Sequence, residues 1–345
     1  MRHCILMRAA PAWKSILKNK RYSTGCFKSQ KQQDYLNDEV PDTQLYGDTG
    51  DDMLITPECV APTGCVLGEG PVWSPSEGFL WWVDIKRAKL HRYNPKTGNT
   101  RRYDLPIRAS ALALYDGCIL MAGDREVGLY DPATESYERW CQLKDEPDTN
   151  RTNDGGVAPD GSFWFGTMDD REKDPVGGYF RLTPDRKLEQ MRLPSVLVTN
   201  TMQFSPDGRT FYTCDSAEQE ILAFDHDPVA GTLTGRRVFA STYEFNGYPD
   251  GSTVDSEGCL WTCLWDASRV VRFTPDGAVD QVITLAAPRP TSCTFGGDDL
   301  KTLFITTARA GMSFPALDSR PLSGSLFAIS VDVPGLPARQ FGISG

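Results

Sequence analysis

Short apolar runs of three to seven residues punctuate the chain from about Cys59 onward, as in Leu80-Trp81-Trp82-Val83, Phe163-Trp164-Phe165 and Leu260-Trp261-Thr262-Cys263-Leu264-Trp265. Runs of this length suit strands whose sheets are covered on both faces. No segment of the body sustains the 3.6-residue stripe of an amphipathic helix. Six times a turn signal leads directly into such a run. The turns centre on Gly78, Gly117, Gly161, Gly208, Gly258 and Asp299-Leu300-Lys301, at spacings of 39, 44, 47, 50 and about 42 residues. A second signal trails five of them, at Tyr93-Asn94-Pro95-Lys96-Thr97-Gly98, Tyr130-Asp131-Pro132, Leu182-Thr183-Pro184, Phe224-Asp225-His226-Asp227-Pro228 and Phe273-Thr274-Pro275-Asp276-Gly277. Each unit is therefore several short strands joined by turns.

A period in this range in an all-β pattern predicts a propeller, in which each unit is a four-stranded blade that buries its faces only against its neighbours. Six units predict a six-bladed β-propeller from 59 to 345. Evenly spaced hairpins could also build a β-sandwich, but the length and the doubled turn signal favour the ring. The first strand of each blade lines the central channel, so side chains at one offset before the first turn converge on the axis. Glu69, Asn153, Asn200 and Asp250 stand 9, 8, 8 and 8 residues before their turns. One polar side chain per repeat at a shared address predicts a shared site, although each alone could be a turn residue satisfying local backbone.

Charge divides the chain. Residues 1–33 carry eight Lys and Arg and no acid, whereas the remainder has 28 basic against 46 acidic residues, a balance of −18. An acidic body of this kind is not built for nucleic acid. The basic segment, with Trp13, Ile16 and Leu17 as apolar anchors, has the composition of a mitochondrial transit peptide, and equally of sequence upstream of a start at Met53 or of a tail. Residues 34–58 read as an acidic linker, seven acids falling between 34 and 52. A cytoplasmic monomer is expected, with mitochondrial import through the extension as the alternative. The ten cysteines are scattered without Cys-x-x-Cys and suit packing in a reducing compartment. No apolar run approaches the ~18 residues of a membrane span.

Three histidines, His3, His91 and His226, none at the repeated address, leave no obvious material for a Ser-His-Asp triad or a His-ligated zinc. Nucleophile-elbow, P-loop and dinucleotide motifs are absent as well. What remains is oxygen. Glu69 and Asp250 supply carboxylates and Asn200 an amide oxygen, a donor set for a hard divalent cation such as calcium, magnesium or manganese, with zinc tolerated. Arg151 and Asn153, two residues apart on one strand, share a face, and a guanidinium beside an amide can hold hydroxyl or carboxyl oxygens of a polyol. A rim salt bridge is the competing reading of Arg151. Asp84 and Asp215 follow blade strands and read as loop caps.

Gly68-Glu69-Gly70-Pro71-Val72-Trp73, Arg151-Thr152-Asn153-Asp154-Gly155, Gly166-Thr167-Met168, Pro249-Asp250-Gly251 and Thr291-Ser292-Cys293-Thr294-Phe295-Gly296-Gly297 together resemble the regucalcin (SMP-30), gluconolactonase and luciferin-regenerating-enzyme family over about 59–335. The resemblance implies a six-bladed propeller with one divalent metal at the channel mouth and hydrolysis of sugar lactones. By position it implies Glu69, Asn200 and Asp250 as metal ligands, Asp250 also as general base, and Arg151 with Asn153 as the substrate-binding pair. Three positions depart from the family pattern. Thr201 follows Asn200 where Gly is usual, Ser252 follows Gly251 where an apolar residue is usual, and Arg171, flanked by Asp169, Asp170 and Glu172, occupies an acidic substrate-contact position. The expected activity is opening of an aldonolactone to the aldonate. The alternatives are a calcium-binding regulatory propeller without turnover, or a phosphotriesterase-like or strictosidine-synthase-like propeller with other channel residues.

Overall fold

The structure, a computed structural model, describes residues 56–344; the basic extension and nearly all of the acidic linker lie outside them. The described chain forms six four-stranded antiparallel sheets arranged as a six-bladed β-propeller. Five blades use strands consecutive in sequence, spanning 68–104, 109–142, 150–190, 199–241 and 248–284. The inner strands Gly68–Ser74, Ala109–Tyr115, Asn150–Val157, Thr199–Phe204, Tyr248–Val254 and Pro290–Gly296 pack each against the next around the axis. The six predicted turns join the first and second strands of the six blades, and the five trailing signals join the third and fourth strands of the first five.

The sixth blade has no trailing signal because its fourth strand comes from elsewhere in the chain. Glu58–Ala61 pairs antiparallel with Leu326–Ser330, Glu58 opposite Ala328 and Cys59 opposite Phe327. This closes the ring and covers the outer edge of Leu326–Ser330, leaving the short strand Glu58–Ala61 as the blade's outer edge. The closing strand begins at Glu58, a residue that charge and composition place at the end of the linker.

The apolar runs are strands buried on both sides, and alternate residues serve different neighbours. Trp81 packs towards the second blade with Tyr103, Met121 and Tyr130, while Trp82 packs towards the sixth with Phe304 and Leu326. Phe163 and Phe165 face the second blade and Trp164 the fourth. Cys263 joins Trp261 and Cys293 between the fifth and sixth blades, and all eight described cysteines are free thiols. Each blade junction thus has its own apolar cluster, and stability is shared around the ring rather than held in one centre. His91 is stacked on Trp82 at 4.9 Å and His226 against Trp164 at 5.4 Å, so both described histidines are packing groups. No helix among the described residues is long and apolar enough to cross a membrane.

The two ends of the channel differ. At the end carrying the six first turns, residues 331–344 run across the ring, held by Gly335 N–H to Leu300 O (2.8 Å), Ser256 N–H to Pro334 O (2.9 Å), Arg339 Nη2 to Ser205 O (3.3 Å) and Phe341 N–H to Leu114 O (3.0 Å). Glu69, Asn153, Asn200 and Asp250 lie towards the opposite end of their strands.

Candidate active site

All six inner strands carry a register irregularity near the same level, between Glu69 and Val72, Ala109 and Ala111, Thr152 and Gly155, Asn200 and Gln203, Pro249 and Ser252, and Pro290 and Ser292. A bulge interrupts the ladder and re-aims the side chains beside it. Gly70, after Glu69, and Thr201, after Asn200, both take the left-handed conformation, with φ of +55° and +57°. Glycine suits the first position because a Cβ there would come within 2.8 Å of Ser110 O. Thr201 is β-branched, and such a residue at positive φ stores strain of order 1–3 kcal/mol.

The neighbours of Thr201 account for its persistence. Its hydroxyl donates to the backbone carbonyl of Asp250 (2.7 Å) and shares a hydrogen bond with Ser252 Oγ (2.9 Å), which in turn bonds Thr262 Oγ1 (3.0 Å). The departures at 201 and 252 are therefore partners, and together they anchor the strand that carries Asp250. Asp84 and Asp215 behave as loop caps: Asp84 accepts from Val66 and Leu67 N–H, and Asp215 from Leu197 and Val198 N–H.

Arg151, Asn153 and Asn200 form a chain. Arg151 Nη1 donates to Asn153 Oδ1 at 2.7 Å, and Asn153 Nδ2 donates to Asn200 Oδ1 at 2.9 Å and to Thr199 O at 2.8 Å. Asn200 Nδ2 is turned to Ser216 Oγ (2.8 Å), which fixes the direction of the amide. Both amide protons of Asn153 are used, so what it has left for a ligand is a lone pair on Oδ1. Arg151 also makes a rim salt bridge, Nε to Asp170 Oδ1 at 2.9 Å. The rim salt bridge, the competing reading of Arg151, is therefore present, and the same guanidinium also reaches Asn153.

Glu69 and Asp250 are joined by a carboxylate that the repeat spacing does not single out, Asp154. All three are more than nine-tenths buried. Burial, followed by the charge of Asp154, pushes Glu69 up to about 8 against the pull of Gly70 N–H and Arg151. Asp250 is raised well above the usual carboxylate range by burial and then by Glu69 and Asp154. Burial raises Asp154 to about 6, opposed by the N–H groups of Met202, Gly155 and Thr201. Three buried carboxyls, of which Asp154 raises Glu69 and both raise Asp250, with Arg151 as the guanidinium that acts on two of them and is itself paired to Asp170, are short of positive charge. A divalent cation fits that deficit and the hard oxygen donors. Among the described residues no three His, Cys, Asp or Glu side chains converge tightly enough to cage an ion by themselves, so a cation held here would need a further oxygen such as that of the Asn200 amide. Asp154 could have been suspected from the sequence, since it follows Asn153 directly, but its role rests on a bulge that strand alternation does not reveal.

Residues 67–309 match the SMP-30/Gluconolactonase/LRE-like region. The chain belongs to this family. It is 37% identical over 292 residues to a 6-deoxy-6-sulfogluconolactonase of Pseudomonas putida, covering 84% of this chain and 99% of that protein. An L-arabinolactonase of Azospirillum brasilense is 34% identical, at 82% and 94% coverage. Among solved structures, a calcium-binding protein, regucalcin, from Agrobacterium tumefaciens superposes with a TM-score of 0.79 at 29% identity, covering 83% of this chain and 97% of that one. The family membership accounts for the closed six-blade ring.

Proposed function

We propose that the protein is a divalent-metal-dependent lactonase that opens a sugar lactone to the aldonic acid. The reading rests on one observation: three mutually repelling buried carboxyls stand beside a chain of donors and acceptors running from Arg151 through Asn153 to Asn200. A purely structural cation cage would have no use for that guanidinium. Relatives named as lactonases of sulfonated hexose and of arabinose support the substrate class.

Glu69, Asn200 and Asp250 would hold the cation. When bound, the metal supplies positive charge that stabilises a developing oxyanion and relieves the repulsion among the carboxylates. Asp250 takes the proton of the attacking water, its carboxylate positioned by the Thr201 bond to its own backbone. Arg151 holds substrate oxygens, with the Asn153 lone pair as second contact. Arg171 does not replace the acidic contact of the family: its guanidinium is folded onto Asp169, Nε to Oδ1 at 3.0 Å, so the sugar meets a different surface on that side.

The deciding experiment strips the protein of metal, reloads it with calcium, magnesium, manganese or zinc singly, and measures hydrolysis of a panel of aldonolactones that includes charged ones. Metal-dependent turnover is expected. Tight cation binding with no turnover on any lactone would favour the calcium-binding regulatory reading instead.

A further inference from the structure

Next to the candidate site, cations from three blades meet on one carboxylate. Asp170 Oδ1 accepts from Lys86 Nζ (2.9 Å) and Arg151 Nε (2.9 Å), and Oδ2 accepts from Arg108 Nη1 (2.7 Å). Arg108 Nε turns to Asp124 Oδ1 at 2.7 Å. Lys86 lies just after the second strand of the first blade, Arg108 just before the inner strand of the second, and Asp170 just after the second strand of the third. All three positions are at the end of the channel that holds Glu69, Asn200 and Asp250. Burial would raise Asp170, but the hydrogen bonds of Arg108 and Lys86 and the charge of Arg151 outweigh it and hold the carboxyl at about 2. Asp170 is therefore ionised at neutral pH.

Lys86, Arg108 and Arg151 pair directly with two carboxylates, Asp170 and Asp124, while Glu172 and Glu69 also act on Arg151. Arg151 is buried, whereas the side chains of Lys86 and Arg108 each remain 34% exposed. Lys86 uses one of its three donors on Asp170, and Arg108 engages Nε and Nη1, so both retain donors directed to neither carboxylate. Arg151 links this pair to the reaction site, since the guanidinium that meets Asp170 also meets Asn153. A lactone ring against Arg151 would lie beside the carboxylate that Arg151 shares with Lys86 and Arg108.

Building on the lactonase reading, we propose that Lys86 and Arg108 form an anion subsite and that the preferred substrate is a sugar lactone with a tetrahedral oxyanion, phosphate or sulfonate, on its exocyclic carbon. The planar fork of Arg108 and the mobile ammonium of Lys86 suit such a group.

The test compares kcat/KM of the metal-loaded full chain on glucono-1,5-lactone, its 6-phosphate and its 6-deoxy-6-sulfo analogue, at low and high salt. The wild type is expected to favour at least one charged lactone by roughly tenfold or more, with the preference shrinking in salt. Lys86→Met, and Lys86→Met with Arg108→Gln, should collapse the charged-to-neutral ratio towards unity, chiefly through KM. Whichever charged lactone is favoured separates phosphate from sulfonate. Absence of any preference in the wild type overturns the subsite. So does an equal loss on neutral and charged lactones accompanied by a lower Tm, which would make the cluster a brace between blades. Calorimetric binding of gluconate and 6-phosphogluconate needs no turnover. Tighter binding of 6-phosphogluconate that is lost in the variants supports the subsite even if no lactone is hydrolysed, in which case the lactonase reading alone fails.

Discussion

Buried carboxylates at two places in this ring have opposite surroundings. In the fifth blade Asp255, fully buried, accepts from the N–H groups of Glu257 and Cys259 (3.0 Å each), from Trp261 Nε1 (2.9 Å) and from Arg272 Nε (2.8 Å). Arg272 completes the cluster on Glu257 and Asp280. On the axis, Glu69, Asp154 and Asp250 face one another with no such cation of their own. A satisfied buried charge ties strands together, while a set short of counter-charge costs stability and is a candidate for binding a cation. Burial alone does not mark a site. Burial with a deficit of counter-charge does.

The comparison breaks most sharply under substitution. Asp250→Ala should reduce lactonase kcat/KM by three orders of magnitude or more, roughly the effect of losing a ligand and a base together, with a circular dichroism spectrum like that of the wild type. Wild-type turnover in the folded variant would remove Asp250 from the mechanism. Asp255→Ala should do the reverse. Arg272 keeps Glu257 and Asp280, but Trp261 Nε1 and the Glu257 and Cys259 N–H groups lose their acceptor, at an expected cost of roughly 1–3 kcal/mol per unsatisfied buried donor in denaturant unfolding, while the surviving folded fraction keeps its kcat. An activity loss beyond the loss of folded protein would show that the fifth-blade cluster reaches the site.

Removing the metal sharpens the contrast through pH. Glu69, Asp154 and Asp250 all have folded-state proton affinities raised above the unfolded values, so between about pH 4 and pH 8 the metal-free folded protein binds more protons than the unfolded chain. Metal-free stability should therefore fall as pH rises through this window, and saturating cation should flatten the dependence. A metal-free Tm that rises from pH 5 to pH 8 would contradict the crowding of charge on the axis. The smallest effect is expected from Glu69→Gln. It should weaken cation affinity by about tenfold, with activity restored at high metal, and should reduce the pH slope of the metal-free protein by removing one titrating group. Calorimetric titration with unchanged affinity would exclude Glu69 as a ligand.

The ring and most of the candidate site are legible in the sequence alone, for a physical reason. A blade must alternate side chains between two neighbours, so runs such as Leu80-Trp81-Trp82-Val83 and Phe163-Trp164-Phe165 are forced by the architecture and betray it. Glu69, Asn153, Asn200 and Asp250 can be picked out because a closed ring repeats one address. Local pattern does not show that the sixth blade borrows Glu58–Ala61, since that pairing joins residues some 270 positions apart. Nor does it show the Thr201–Ser252 bond, which makes two departures from the family pattern into one compensated pair. The meeting of Lys86, Arg108 and Arg151 on Asp170 belongs to the same class, because three separate loops are brought to one end of the channel only when the ring closes. Periodicity along the chain determined the fold and the level of the site, because it is a local property repeated. Which charges are satisfied and which are left wanting depends on contacts between blades, and those exist only in three dimensions.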